Sequence, residues 1–287
     1  MIPGAFDYHR PSTVAEAVTL LAEAGEDGRV LAGGHSLIPM MKLRMATPET
    51  LIDLRHIDEL RGIDESGGTI TIGAMTTQAE MIASGLLADL CPILRETALQ
   101  IADPQIRNLG TVGGNVANGD PGNDLPALMQ ALDAAYVIAG KSGSREVAAR
   151  DFYEAAYFTA LQDGEVLTAI RIATPPAGHG WAYEKQKRKI GDYATAAAAV
   201  LLTMSGGKCA SASIALTNVG DTPLFAESAG AALVGTDLGD EAVNNAVALA
   251  EAIAEPAEDG RGPVDFRTKV AGQMVRRGIA RAASRAS

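Results

Sequence analysis

A chain of 287 residues is long enough to bury a sizeable core and to divide into subdomains, and it carries a net charge of −11 that argues against nucleic-acid binding. Hydrophobic residues make up 47% and charged residues 21%, the balance of a soluble globular protein. Met1-Ile2-Pro3-Gly4 runs into Asp7 and His9 rather than a basic, apolar ramp, so no signal peptide is expected, and the longest apolar run, Ala194 to Met204, is too short to span a membrane.

The first legible element is a helix opened by Pro11-Ser12-Thr13, where Thr13 and Glu16 have the spacing of a capping box. Val14, Ala17, Val18 and Leu21 mark its apolar face, and Gly25 ends it. Arg29-Val30-Leu31 reads as a short strand, followed by the loop Ala32-Gly33-Gly34-His35-Ser36 and a helical stretch from Leu37 to Met45. With a further strand at Thr50 to Leu54 this is a βαβ arrangement. It puts a glycine loop at a strand-to-helix turn, where backbone N–H groups can face an anion.

Thr69 to Ile72 is an alternating strand, and helices are expected over Thr77 to Ser84 and Leu86 to Ile101. They lead to a second glycine-rich stretch, Thr111-Val112-Gly113-Gly114-Asn115, and then to Gly119-Asp120-Pro121-Gly122-Asn123-Asp124 before a helix-like run from Leu125. Two Gly-Gly turns, each beside a small hydroxyl residue, could grip the phosphates of a dinucleotide from opposite sides. Either could equally be a plain turn, as Gly67-Gly68 and Gly206-Gly207 are expected to be. Asp124 reads as the cap of the helix that follows it.

Strands are expected at Ala134 to Ile138, Arg145 to Ala148 and Glu165 to Ile172, and Pro175-Pro176-Ala177-Gly178 is the best linker. Beyond it, Trp181 to Lys189, Thr195 to Met204 and Cys209 to Asn218 predict an antiparallel meander, with Trp181, Tyr183, Lys185, Lys187 and Lys189 on one strand face. The rest reads as helix, including Glu241 to Ala254 and Phe266 to Ala283.

Several chemistries lack their signatures. There is no G-x-G-x-x-G and no G-x-x-x-x-G-K-[ST], and His9, His56 and His179 have no metal-ligand spacing. Ser36 beside His35 does not have the layout of a nucleophile and its base. Cys91 and Cys209, the only cysteines, are too few for an iron–sulfur cluster and are expected as reduced core residues.

Ala32-Gly33-Gly34-His35-Ser36, Gln105-Ile106-Arg107-Asn108, Thr111-Val112-Gly113-Gly114-Asn115 and Tyr183-Glu184-Lys185 together resemble the FAD-binding subunits of the molybdenum hydroxylase (xanthine dehydrogenase) family. Within it the likeness is nearest to the medium, flavoprotein subunits of aerobic carbon monoxide dehydrogenases, and it covers essentially the whole chain.

The resemblance implies an α+β fold. A two-part FAD-binding domain of the vanillyl-alcohol-oxidase/PCMH type spans residues 1–176, with subdomains of about 1–60 and 61–176. A C-terminal domain of a three-stranded antiparallel sheet and helices spans 177–287. It implies FAD held non-covalently by Ala32, Gly33, Gly34, His35, Ser36, Leu37, Ile101, Thr111, Val112, Gly113, Gly114, Asn115, Asp124, Leu167, Lys185 and Tyr193, with no catalytic or metal-ligating residue. Lys185 would approach the isoalloxazine, and Tyr193 would cover it.

The implied partners are a small subunit with [2Fe-2S] clusters and a large subunit with a molybdenum–copper cofactor, in a dimer of heterotrimers, a heterohexamer. The implied activity is that of an oxidoreductase subunit, passing electrons from CO oxidation to a quinone or other acceptor. The implied location is the cytoplasm, or peripherally the inner face of the cell membrane. The alternative is the FAD subunit of a related hydroxylase acting on an aromatic, purine or aldehyde substrate.

Overall fold

The computed structural model describes residues 2–287. Helix α1 (Val14–Ala24) starts where Thr13 accepts the Glu16 N–H, and it stops at Gly25, whose φ of 57° returns its N–H to the Leu21 carbonyl. Only half of the expected capping box forms, because the Glu16 carboxylate takes the N–H of Ser12. α1 covers a parallel sheet of β1 (Asp7–His9), β2 (Gly28–Leu31) and β3 (Thr50–Asp53) in the order β1-β3-β2. Between β2 and β3 lies α2 (Leu37–Lys42). It is shorter than predicted because Arg44 enters the left-handed region at φ 57°.

The second layer is an antiparallel sheet of β4 (Ile63–Ser66), β5 (Thr69–Gly73), β6 (Ala135–Gly140), β7 (Gly143–Ala148) and, after the small hairpin β8 (Tyr153–Ala155) and β9 (Phe158–Thr159), β10 (Val166–Ala173). Its order is β4-β5-β10-β6-β7. Helices α3 (Gln78–Ala83), α4 (Gly85–Leu90), α5 (Pro92–Ala98), α6 (Pro104–Leu109), α7 (Val112–Ala117) and α8 (Asp124–Ala131) lie between β5 and β6 in the chain. The capping box missing at α1 occurs at α3, where Thr77 and Glu80 satisfy each other's backbone N–H. The single helix expected over Leu86 to Ile101 is broken at Cys91, because Pro92 has no N–H to continue it and instead starts α5.

The third sheet is β11 (Gly180–Gln186), β12 (Ala196–Ser205), β13 (Lys208–Thr217) and β14 (Leu224–Phe225), an antiparallel meander in that order. The predicted three strands are present, and the two-residue β14 adds a fourth at the edge. β12 is Ala-rich because both its faces are covered. Ala197 and Ala199 face the core shared with α5 and α8, while Ala196, Ala198, Val200 and Leu202 face the helices that follow α9 (Glu227–Ala231), namely α10 (Asp240–Ala252) and α11 (Val264–Ala283). β11 ends at Gln186, so Lys187 and Lys189 leave the strand face on which alternation had placed them.

Polar contacts fasten the third sheet to the helices of the second layer. Glu96 on α5 accepts the Tyr183 N–H at 2.7 Å and pairs with Arg281 at 2.5 Å and Arg285 at 3.0 Å, both from the C-terminal segment. Arg285 also stacks its guanidinium 3.6 Å from the Trp181 ring centroid. Among the described residues no helix is long and apolar enough to cross a membrane.

Candidate cofactor cleft

The three layers leave between them a cleft of about 690 Å³, lined by residues of both glycine-rich stretches, by Asp120-flanking turns and by the start of the third sheet. The first glycine loop follows β2 directly. Gly34 has φ 77°, open to glycine and strained for other residues. Among the described residues, the backbone N–H groups of residues 33–37 donate to nothing in the chain, whereas Ile38 returns its N–H to the Gly34 carbonyl at 3.0 Å. A run of unused N–H donors beside a cleft is an anion site ready for a phosphate group.

The second glycine pair behaves differently from the prediction. Gly113 and Gly114 lie in the first turn of α7, not in a loop, and Thr111 caps that helix by accepting the Gly114 N–H at 3.0 Å. Val112 donates to Thr76 at 2.8 Å, Gly113 to Ala74 at 2.8 Å and Asn115 to Thr111 at 3.1 Å. The N–H groups of residues 112–115 are used within the protein, so the glycine pair itself offers no free backbone donor.

Close packing is what these glycines allow. A Cβ on Gly113 would sit 2.5 Å from that of Ala74, and one on Gly33 would sit 2.4 Å from the Leu109 carbonyl oxygen. The two stretches therefore lean on each other, with Ala32 next to Gly114.

Of the expected residues, Ala32, Gly33, Gly34, His35, Ser36, Leu37, Ile101, Thr111, Gly114, Asn115, Asp124, Lys185 and Tyr193 all line the cleft. Val112, Gly113 and Leu167 do not. Val112 is fully buried under β5, Gly113 is packed on Ala74, and Leu167 lies in the main core opposite Ile138 of β6. His35 is exposed and bonds to nothing.

Asp124 is the first residue of α8, whose N-cap is Asn123, so it is not the cap itself. Both its oxygens are engaged across the layer boundary: Tyr183 donates to Oδ1 at 2.6 Å and Lys185 Nζ to Oδ2 at 2.7 Å. The ion pair is deeply buried, with side-chain exposures of 1% for Lys185 and 5% for Asp124. Lys185 also reaches the Gln100 carbonyl at 3.3 Å. Nearby, burial and then the positive charge of Lys185 hold the Lys187 ammonium below its ordinary range.

Tyr193 is in the loop before β12 and not in a strand. Its ring covers Gly122, where a Cβ would come within 2.7 Å, and its hydroxyl donates to Asp120 at 3.1 Å. With 43% of its surface exposed, it is a cleft wall and not a core residue. The loop is held by Arg188 on Asp192 at 2.8 Å, by Asn218 on the Ala194 carbonyl at 2.5 Å, and by the buried Arg267 on the Thr195 carbonyl at 3.2 Å.

Sequence reasoning missed Gln78, Asn118 and Asn123, which also line the cleft. Asn115 and Asn118 share a helix face at i, i+3 spacing, a signal hidden while the stretch was read as a turn. Gln78 Oε1, Asn115 Oδ1 and Asn118 Nδ2 are buried polar atoms without a partner in the chain. Each is costly unless a ligand satisfies it. FAD carries phosphates for the free N–H run, together with ring and ribityl donors and acceptors for such atoms, so the residues present fit that group.

Comparison with known proteins agrees with this geometry. Residues 4–175 match the family described as the FAD binding domain in molybdopterin dehydrogenase, and residues 181–282 match the CO dehydrogenase flavoprotein C-terminal domain. The chain belongs to this family of FAD-binding subunits of molybdopterin-dependent dehydrogenases. It is 67% identical to the carbon monoxide dehydrogenase medium chain of Afipia carboxidovorans, over 100% of this chain and 99% of that one. It is 51% identical to the medium chain of Hydrogenophaga pseudoflava, over 97% of each. A crystal structure of the Cu,Mo-CO dehydrogenase superposes with a TM-score of 0.99 at 67% identity, covering 100% of both chains.

Proposed function

We propose that this chain is the FAD-holding medium subunit of an aerobic carbon monoxide dehydrogenase. Its large partner would carry the molybdenum–copper site that oxidises CO with water to CO2, protons and electrons. Its small partner would carry the [2Fe-2S] clusters, and the final acceptor would be a quinone or another oxidant. The observation that carries the reading is identity of 67% spread over the entire chain, against 35% for the caffeine dehydrogenase subunit beta of a Pseudomonas species. The chain's own cysteines, Cys91 and Cys209, are both buried, and two thiols are too few for a cluster held by four thiolates.

When bound, FAD supplies exchange between one-electron carriers and an acceptor that takes electrons in pairs. The free N–H groups of residues 33–37 would hold the pyrophosphate, while Gly33 and Gly114 keep the two stretches close enough to form one wall. Asp124 and Lys185 form a fixed, buried pair of opposite charges in the cleft, and Lys185 would favour negative charge on a ring bound beside it. In this reading residues 1–176, through parts 1–60 and 61–176, form most of the cleft, and 177–287 contribute Lys185 and Tyr193. The complex is a cytoplasmic dimer of heterotrimers, with at most peripheral contact with the membrane and no nucleic-acid partner.

The test is to load the isolated chain with FAD and assay CO-dependent dye reduction, then to add the small and large subunits. Activity is expected only in the mixture, with this chain co-eluting at equal stoichiometry. Activity in the lone chain overturns the reading, and a complex that oxidises an aromatic, purine or aldehyde substrate but not CO supports the alternative hydroxylase.

The flavin is held without a covalent bond, His35 included, so acid precipitation releases all the yellow colour to the supernatant. Colour left on the pellet contradicts this. Tyr193→Ala is expected to weaken FAD binding by about 1 kcal/mol and to shift the flavin spectrum, while the melting temperature moves little. An unchanged spectrum with a large loss of stability would place Tyr193 in the core.

A further inference from the structure

Tyr183 lies behind the cleft wall, fully buried, and does not line the cleft itself. Its hydroxyl nevertheless makes the short contact to Asp124 Oδ1, with the Thr217 hydroxyl 3.3 Å behind it. Thr217 is also fully buried. The result is a relay from the third sheet: Thr217 on β13, Tyr183 on β11, then Asp124 at the start of α8, then Lys185 back on β11.

Tyr183 and Lys185 are two residues apart on one strand, so they project from the same face and take one carboxylate oxygen each. A phenol is a needless choice for filling apolar space here, since its oxygen must be satisfied in the core. It is satisfied by the one acidic group that lines the cleft beside the lysine. Burial and the Asp124 charge both hold the phenol proton firmly on oxygen, so Tyr183 acts as a permanent donor.

We propose that Tyr183 is a positioning residue for the cofactor, drawing negative charge density on Asp124 away from Lys185 and thereby setting how much of the lysine's positive field reaches a ring in the cleft. Without that donor, Asp124 Oδ1 is left unpartnered and the carboxylate cancels Lys185 more completely. A ring that becomes anionic on reduction is then less stabilised, and the carboxylate is freer to leave its orientation. The proposal rests on the FAD reading above.

Tyr183→Phe removes only the hydroxyl. The expected result, in the full chain loaded with FAD, is a dissociation constant raised roughly tenfold and a flavin midpoint potential shifted to more negative values. Tyr136→Phe is the control, because Tyr136 is an equally buried tyrosine whose hydroxyl pairs with that of Tyr153 at 2.8 Å, outside the cleft. It should lower the melting temperature while leaving affinity, spectrum and potential at their wild-type values.

The second arm repeats Tyr183→Phe in an Asp124→Asn background, where a residue acting through Asp124 should produce no further shift in potential. Wild-type affinity and potential in Tyr183→Phe, with only a lower melting temperature, would overturn the proposal by making the hydroxyl purely structural. So would an equal shift with and without Asp124. A wild-type chain that takes up no FAD overturns the cofactor reading together with this one, whereas normal uptake with unaltered Tyr183→Phe behaviour overturns this one alone.

Discussion

Lys185→Met is expected to destabilise the protein by about 3–5 kcal/mol, because it strips the cation from a carboxylate that has only 5% exposure to water. Asp124 would keep the Tyr183 hydroxyl, but a single neutral donor does not replace an ammonium at 2.7 Å. Urea unfolding of the apo protein measures the loss as a fall in the midpoint at constant slope. Replacing both partners together, as Asp124→Asn with Lys185→Met, should recover much of the stability, since no unpaired charge then remains buried. FAD binding should not recover with it, because the charges facing the cleft are gone. If Lys185→Met unfolds at the wild-type urea concentration, the pair contributes nothing to folding.

Gly33→Val is expected to abolish FAD binding and also to lower the melting temperature by several degrees. Chemistry read from the loop alone, an anion approaching bare backbone, would have predicted loss of binding with the fold intact. The structure adds a second cause. The new Cβ would meet the Leu109 carbonyl oxygen at 2.4 Å and Gly110 Cα at 2.9 Å, and both are backbone atoms that no side-chain rotation can move. The first loop must then separate from the Leu109–Gly110 turn that precedes α7, and the free N–H run moves with it.

Gly114→Val should behave similarly but more mildly, its nearest neighbours being the Thr111 hydroxyl at 2.7 Å and Ala32 Cβ at 3.3 Å. Gly85→Ala is the control, since nothing lies within 4 Å of a Cβ there. Flavin content per chain and a thermal melt decide between the causes. A wild-type melt with no flavin would return Gly33 to a purely ligand-directed role.

How far the chain could be read depends on the range over which each feature is decided. The first glycine loop was legible because its shape is local. β2, a glycine at φ 77° and a following helix come from adjacent residues, and free N–H groups follow from that geometry. The antiparallel meander of β11, β12 and β13 was likewise visible, as were the long C-terminal helices α10 and α11. The break at Cys91-Pro92 is local as well, since proline alone accounts for it.

The second glycine pair was misread for a physical reason. Gly-Gly has no helical preference of its own, and what winds it into α7 is the Thr111 cap together with β5, whose Ala74 and Thr76 carbonyls take the Gly113 and Val112 N–H groups.

By itself, then, the sequence determined the first βαβ unit, the C-terminal meander and the long helices after it, which loop offers its backbone to an anion, and, through whole-chain resemblance, the flavoprotein family. The tertiary structure alone decided that the second glycine pair is wound into α7, with Gly113 packed on Ala74, that Leu167 belongs to the core, and that Asp124 is held by Tyr183 and Lys185 from 59 and 61 residues away. Those outcomes depend on which surfaces meet across layers, and a buried carboxylate takes its partners from whatever donors the packing brings within hydrogen-bond reach.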